Sequence, residues 1–224
     1  MDKNAPLYID YCSYKAAKYA CENWHYSKAM PYAKTLRFGV WESGIFKGTV
    51  IFGRGANPNF SNAYNLKQSE CCELVRIALK KHDSTVSKII SVIMFFIKRN
   101  YPKIKLIVSY ADPDEGHIGG IYKAGNWIYV GETSSDCRIL YKGKWFHRKT
   151  IYAKGLNPNG MPKKKTSPKY KYLYPLDKSM RQQIESLRKP YPKRAESIEN
   201  DAHNIPVVTG RCDSDLGAPS KDNV

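Results

Sequence analysis

The chain has 224 residues, 42% of them hydrophobic, and carries 37 Lys and Arg against 20 Asp and Glu, a formal net charge of +17. That length and apolar content accommodate one core-bearing domain with an appendage and exclude a wholly disordered chain. The absence of any CxxC pair among the six cysteines excludes a zinc knuckle, and the longest apolar stretch, around Ile89–Ile97, is too short to span a bilayer.

The predicted elements run as follows. Residues Ser13–Asn23 read as an amphipathic helix that stops at the polar-aromatic turn Trp24–Ser27. Leu36–Glu42 and Phe46–Phe52 alternate as two strands of a hairpin, with Glu42-Ser43-Gly44 as its turn. Gly53–Leu66 is loop-like, and Glu73–Leu79 reads as a strand. Asp83 or Ser84 can serve as N-cap for the longest helix, Val86–Asn100, which Pro102 ends. Ile104–Ser109 is apolar without alternation, as in a buried parallel strand. Gly116–Gly125 fits a short helix, Trp127–Gly131 a strand, and Ile139–Trp145 a hairpin turning at Lys142-Gly143. Gly155–Pro175 is rich in Lys, Pro and Tyr, and Asp177–Arg188 reads as one helix closed by Pro190–Arg194. Residues 195–224 read as a disordered tail. The order implies a mixed α/β sheet with helices on both faces, divided into a catalytic domain over 1–154, a basic extension over 155–194 and the tail.

The charge is concentrated rather than spread: residues 1–150 carry +11, residues 151–194 carry +10 and residues 195–224 carry −4. This is the footprint of a polyanion binder, against the plainer reading of a protein kept soluble by its charge. Lys163, Lys164, Lys165, Lys169 and Lys171 alternate with Tyr170, Tyr172 and Tyr174, so phosphate attraction is paired with rings that can stack on bases; the plainer reading is a solvated linker. The start, MDKNAPLYIDYC, lacks the apolar run of a secretory signal. A reducing cytoplasmic setting without a membrane is expected, and no obligate protein partner is inferred.

Glu73–Leu79, the long helix, Ile104–Ser109 and the segment Gly119-Gly120-Ile121-Tyr122-Lys123-Ala124-Gly125-Asn126-Trp127 together resemble the GCN5-related N-acetyltransferase (GNAT) fold, the last matching its G-x-x-Y-x-x-x-x-[FW] segment. The resemblance implies that Tyr122 is a general acid, since a phenol at a helix end can protonate a leaving thiolate. It also implies an acetyl-CoA donor, with Arg76, Ile77, Ser84, Ser87 and Lys88 as cofactor contacts. The loop expected to cradle the pyrophosphate at the helix start, Lys80–Lys88, contains no glycine, so another acyl or aminoacyl donor stays open.

Trp24-His25-Tyr26-Ser27-Lys28, ELVRIAL (Glu73–Leu79), Ser109–Trp127 and Pro190–Arg194 in this order resemble the Mom proteins of Mu-like phages. That resemblance implies conversion of adenine in DNA to an N6-methylcarbamoyl form that protects phage DNA from restriction, with acetyl-CoA and iron as proposed cofactors. It carries site roles onto His25, Tyr26, Asp112 and Tyr122, with the serine role open between Ser109 and Ser87. His25, Tyr26 and Asp112 are the residues an iron would meet. Read alone, His25 could equally be a histidine packed on aromatics, and Asp112 a turn residue before Pro113. A poorly nucleophilic exocyclic amine needs activation, for which His25 or Asp112 is the candidate, and a duplex substrate would have to present it by base flipping. A plain N-acetyltransferase would share the fold and Tyr122 without needing the basic extension; a non-enzymatic nucleic-acid binder would need the charge and not His25, Asp112 and Tyr122.

Overall fold

The computed structural model describes residues 6–31, 34–55 and 59–193; the expected tail, residues 195–224, lies outside them. The described residues fall into two compact units, 6–133 with 169–193, and 134–168.

The larger unit is built on a seven-stranded sheet. Its strands are β1 (Leu7–Tyr11), β2 (Thr35–Glu42), β3 (Ile45–Gly53), β4 (Cys71–Leu79), β5 (Leu106–Ala111), β6 (Ile128–Glu132) and a strand from near the end of the described chain, Tyr170–Pro175. The last lies between β5 and β6, and every neighbouring pair is antiparallel except β4 with β5. Helix α1 (Tyr14–Trp24) starts at Ser13, whose hydroxyl accepts the Ala16 N–H, and it buries Ala17, Ala20 and Cys21 against Ile51 and Ala78. Helix α2 (Val86–Asn100) is capped by Thr85 rather than by Asp83 or Ser84, and Lys98 and Arg99 suit the negative end of its dipole. Ile89, Ile90, Ile93, Met94 and Ile97 recur at helical spacing and fill the core with Phe38, Phe52 and Ile107. At about 1.5–3 kcal/mol per fully buried large aliphatic side chain, this face dominates the docking of α2. Helix α3 (Gly120–Ala124) follows a one-turn helix at Pro113–Glu115.

The smaller unit holds β7 (Cys137–Tyr141), β8 (Lys144–His147), the helix α4 (Arg148–Ala153) and β9 (Lys163–Lys165) in a sheet of order β8-β7-β9. Lys142 and Gly143, both at positive φ, make the predicted turn between β7 and β8. The chain then returns to the larger sheet as Tyr170–Pro175, henceforth β10, and ends in α5 (Lys178–Glu185). The mixed α/β class is as expected. The division at residue 154 is not: residues 155–194 are no separate extension, because Tyr172 and Leu173 of β10 are fully buried between β5 and β6. Their alternation Tyr-Lys-Tyr-Leu-Tyr is that of a strand whose lysines disguise it. No helix among the described residues is long and apolar enough to cross a membrane.

Candidate active site

Strands β4 and β5 pair in parallel only from Cys71–Leu106 to Leu74–Ser109. Beyond that rung the strands part, and a cleft of about 590 Å³ opens within the larger unit. Its walls are Trp24–Tyr26 at the end of α1, Leu74–Ile77 of β4, Tyr110–Asp112 after the last β5 rung, and Gly116–Tyr122. Three segments, residues 24–26, 110–112 and 116–122, thus bring His25, Tyr26, Asp112 and Tyr122 to one cleft.

Tyr122 marks the last rung. Its hydroxyl lies 2.7 Å from Ser109 Oγ, and the Ser109 hydroxyl donates to the Leu74 carbonyl at 2.9 Å. Since a carbonyl only accepts, the Ser109 proton is committed there and Tyr122 donates to Ser109. The ring stacks on Tyr172 at 4.7 Å and tilts against Trp127 at 4.9 Å. Gly119, at φ 84°, lets α3 begin against Tyr172, where a Cβ would sit 2.3 Å from the ring. Burial pushes the Tyr122 pKa up to about 12, against the opposing hydrogen bond to Ser109, so the phenol keeps its proton at neutral pH. Of the two serines considered, Ser109 meets Tyr122; the Ser87 hydroxyl lies beside Thr85 on α2.

His25 is 7% exposed. Its Nδ1 receives the Ser27 backbone N–H at 3.0 Å and stands 2.8 Å from the Ser27 hydroxyl. An amide can only donate, so Nδ1 bears no proton and the neutral ring carries its proton on Nε2. Burial, then the charge of Arg76 and the neighbouring His117 and Lys28, hold the His25 pKa down to about 4. Tyr26 lies over the imidazole at 4.2 Å, with His117 beyond it at 5.8 Å. Burial raises the Tyr26 hydroxyl's pKa, against the pull of Lys169.

Asp112, also 7% exposed, accepts the Asp114 N–H at 3.2 Å and pairs with Lys169 Nζ at 2.8 Å. Its carbonyl receives the Glu115 and His117 amides. Asp112 is therefore both the turn residue before Pro113 and a cleft carboxylate, already neutralised by a lysine. Neither His25 nor Asp112 offers the free base expected of an amine activator.

The donor set also disagrees with iron. A metal on His25 Nε2 requires a lone pair there and hence a proton on Nδ1, where the Ser27 amide would oppose it. Asp112 is held by Lys169, and no group of three or more His, Cys, Asp or Glu among the described residues is placed to hold a metal ion.

At the α2 end, the Glu42 carboxylate, 1% exposed, accepts the backbone N–H groups of Asp83 and Ser84 at 2.8 and 2.7 Å, with Lys47 Nζ 3.8 Å away. Burial alone would raise its pKa, yet the two amides and Lys47 bring it below the ordinary value. A side-chain carboxylate thus occupies amides that a pyrophosphate would need, and Thr85 takes the Lys88 amide. The Asp83, Ser84 and Lys88 amides are thus engaged within the chain, and a pyrophosphate at this loop would have to use groups other than these three. Arg76 and Ile77 do line the cleft; Arg76 donates to the Val75 carbonyl at 2.7 Å, and its buried Nε has no hydrogen-bond partner among the described residues.

The five lysines expected in one flexible basic run separate. Lys163, Lys164 and Lys165 are exposed on β9. Lys169 pairs with Asp112, and Lys171 is fixed in β10, 5.1 Å over the Tyr64 ring, where burial lowers its pKa. Sequence reasoning missed Glu42 and the lysine partner of Asp112, which lie 41 and 57 positions from the groups they bind. Ser27, two residues after His25, was the one local signal that an imidazole–amide turn could have been read from.

The model of the Mom protein family matches residues 6–193. The chain belongs to this family. It is 27% identical over 187 residues to the methylcarbamoylase Mom of Escherichia phage Mu, covering 75% of this chain and 76% of that protein. Solved structures similar to it include an N-acetyltransferase from Staphylococcus aureus Mu50, at TM-score 0.45 and 11% identity over 77% of this chain and 99% of the other. Another is the N-acyl amino acid synthase FeeM from uncultured soil microbes, at TM-score 0.44 and 10% identity over 83% and 99%. The Mom segments read from sequence, from Trp24–Lys28 to Pro190–Arg194, lie within the matched span except for Arg194.

Proposed function

We propose that this Mom-family chain is a transferase acting on the N6 amine of adenine in DNA, placing a methylcarbamoyl-type group there, in the cytoplasm of a host cell. The observation that carries the reading is the convergence of His25, Tyr26, Asp112 and Tyr122 on one cleft in a chain whose family includes a methylcarbamoylase. The net charge of +17 suits a polyanionic substrate.

The chemistry assigned to these residues differs from base catalysis. His25 presents Nε2–H as a donor, and the Arg76 guanidinium adds a positive charge to the same cleft; both suit an oxygen that gains negative charge as a carbonyl-containing group is transferred. Tyr122 retains its proton and orients the cleft floor through Ser109. The flat aromatic pair His25–Tyr26 suits an extruded purine. An acyl or aminoacyl group is the donor class; a coenzyme A thioester would have to place its pyrophosphate on groups other than the Asp83, Ser84 and Lys88 amides.

Mass spectrometry of nucleosides from plasmid DNA of expressing cells tests the reading. A heavier adenosine, together with resistance to several restriction enzymes, is expected. Unmodified nucleosides from cells making well-folded protein would overturn it.

A further inference from the structure

The three-stranded sheet of residues 134–168 has two unlike faces. Register places Arg138 opposite both His147 and Lys164, and Leu140 opposite Trp145. Since side chains alternate along a strand, these five share one face, while Ile139, Phe146 and Lys163 share the other. The second face is covered: Ile139 and Ile151 of α4 are fully buried, and α4 packs on β7 and β8. On the first face Arg138, His147 and Lys164 are exposed, Leu140 is half-buried, and Trp145 is 43% exposed. Within residues 134–168 nine Lys and Arg stand against one acidic residue, Asp136. That carboxylate is engaged by His147 Nε2 at 2.7 Å.

We propose that this face docks an unpaired stretch of DNA, its phosphates held by Arg138 and Lys164 and one base stacked on Trp145. The inference rests on the reading of DNA as substrate and names where the strand is gripped. Charge selects a polyanion. The indole selects among polyanions, because every base has a stacking face and a peptide of carboxylates has none. It also selects the unpaired form: in a duplex the base faces are already stacked on one another, so an indole on a flat sheet meets only their edges. Chemistry at adenine N6 requires the target base to leave that stack in any case.

The test uses the full chain and one labelled sequence in two forms, single-stranded and as a hairpin duplex, with binding followed by fluorescence anisotropy across a salt series. Trp145→Ala is expected to weaken single-strand binding by about tenfold, in line with the loss of one stacked base. Its salt slope should be unchanged and its duplex affinity should change less than twofold. Trp145→Phe should restore most of the loss. The Arg138→Gln/Lys164→Gln pair should reduce the single-strand salt slope by about 1.4, at about 0.7 per phosphate. Thermal melts of each variant check the fold, and should Trp145→Ala melt early, Trp145→Leu, which keeps apolar bulk and lacks a ring, carries the stacking test with the same loss expected and the same overturning result. Unchanged single-strand affinity in Trp145→Ala overturns the proposal. So does an equal loss on the duplex, or binding of a polyglutamate peptide as tight as that of the oligonucleotide. If binding follows the expected pattern while cellular DNA stays unmodified, the surface stands and the assigned reaction falls.

Discussion

The two units treat positive charge in opposite ways. In the larger one, two cations are matched to buried carboxylates: Lys169 to Asp112, Lys47 to Glu42. In the smaller one, nine cations face a single carboxylate that a histidine already engages. A lysine's sequence neighbourhood therefore says little about its task, since Lys165 and Lys169 are four positions apart and sit in different units, the first exposed on β9 and the second paired with Asp112. Matched charge fixes geometry and contributes little attraction at a distance; unmatched charge attracts phosphates and is weakened by salt.

The sharpest way to break this division is to change each side and ask which property moves. The largest effect is expected from Tyr122→Phe, which deletes only the hydroxyl that reaches Ser109: adenine modification should fall by about 10²-fold or more, with DNA affinity kept. Near-normal product formation would return Tyr122 to a packing role. The next effect concerns salt. Replacing Lys164, on the open face of the three-stranded sheet, by Gln should flatten the slope of log affinity against log salt on single-stranded DNA by about 0.7, the value for one phosphate, and Lys163→Gln, on the opposite face, should change it less. Lys169→Gln and Lys171→Gln should leave the slope unaltered, and a full contribution from Lys169 would show that its pairing with Asp112 yields to DNA.

A smaller effect is spectroscopic. With Nδ1 fixed as acceptor, ¹⁵N spectra of His25 should show the Nε2–H tautomer at neutral pH, and an Nδ1–H signal would revive the histidine as base or ligand. Because its folded pKa, about 4, lies below the unfolded value, about 6.5, the unfolded chain binds the extra proton first. The stability His25 contributes is thus complete above pH 6.5, falls as the pH drops, and is gone below 4. Thermal melts between pH 4 and 7 should show a shallower dependence in His25→Gln than in wild type. Smallest is Glu42→Gln, which keeps one acceptor oxygen and loses the charge; a destabilisation of about 1–2 kcal/mol is expected from the weakened amide contacts, measured by denaturant titration, with cleft chemistry retained.

Elements whose burial is local in cause were legible from sequence. Val86–Asn100 carries its own apolar face and matches to the residue, and Ile104–Ser109 announces a buried strand by lacking alternation, displaced by two residues. β10 was not legible, because Lys169 and Lys171 gave its surroundings the composition of a solvated tract while Tyr172 and Leu173 pair with strands 43 to 65 positions away. Likewise the motif residues of the cleft could be named from their segments, but not their protonation. Whether His25 is base or donor depends on one amide at Ser27, and whether Asp112 is free depends on a lysine that reads as part of a phosphate-binding run.

The Tyr122–Ser109–Leu74 chain has a mechanical meaning. Two parallel strands that separate part-way along their length behave like a crack in a sheet, and load at the opening concentrates on the last intact rung. Here that rung is tied by two further hydrogen bonds, one across the strands and one to α3, so the tip is reinforced where peeling would start. A ligand wedged between β4 and β5 therefore meets a stop rather than a zipper, and the cleft holds its width because the fracture cannot run.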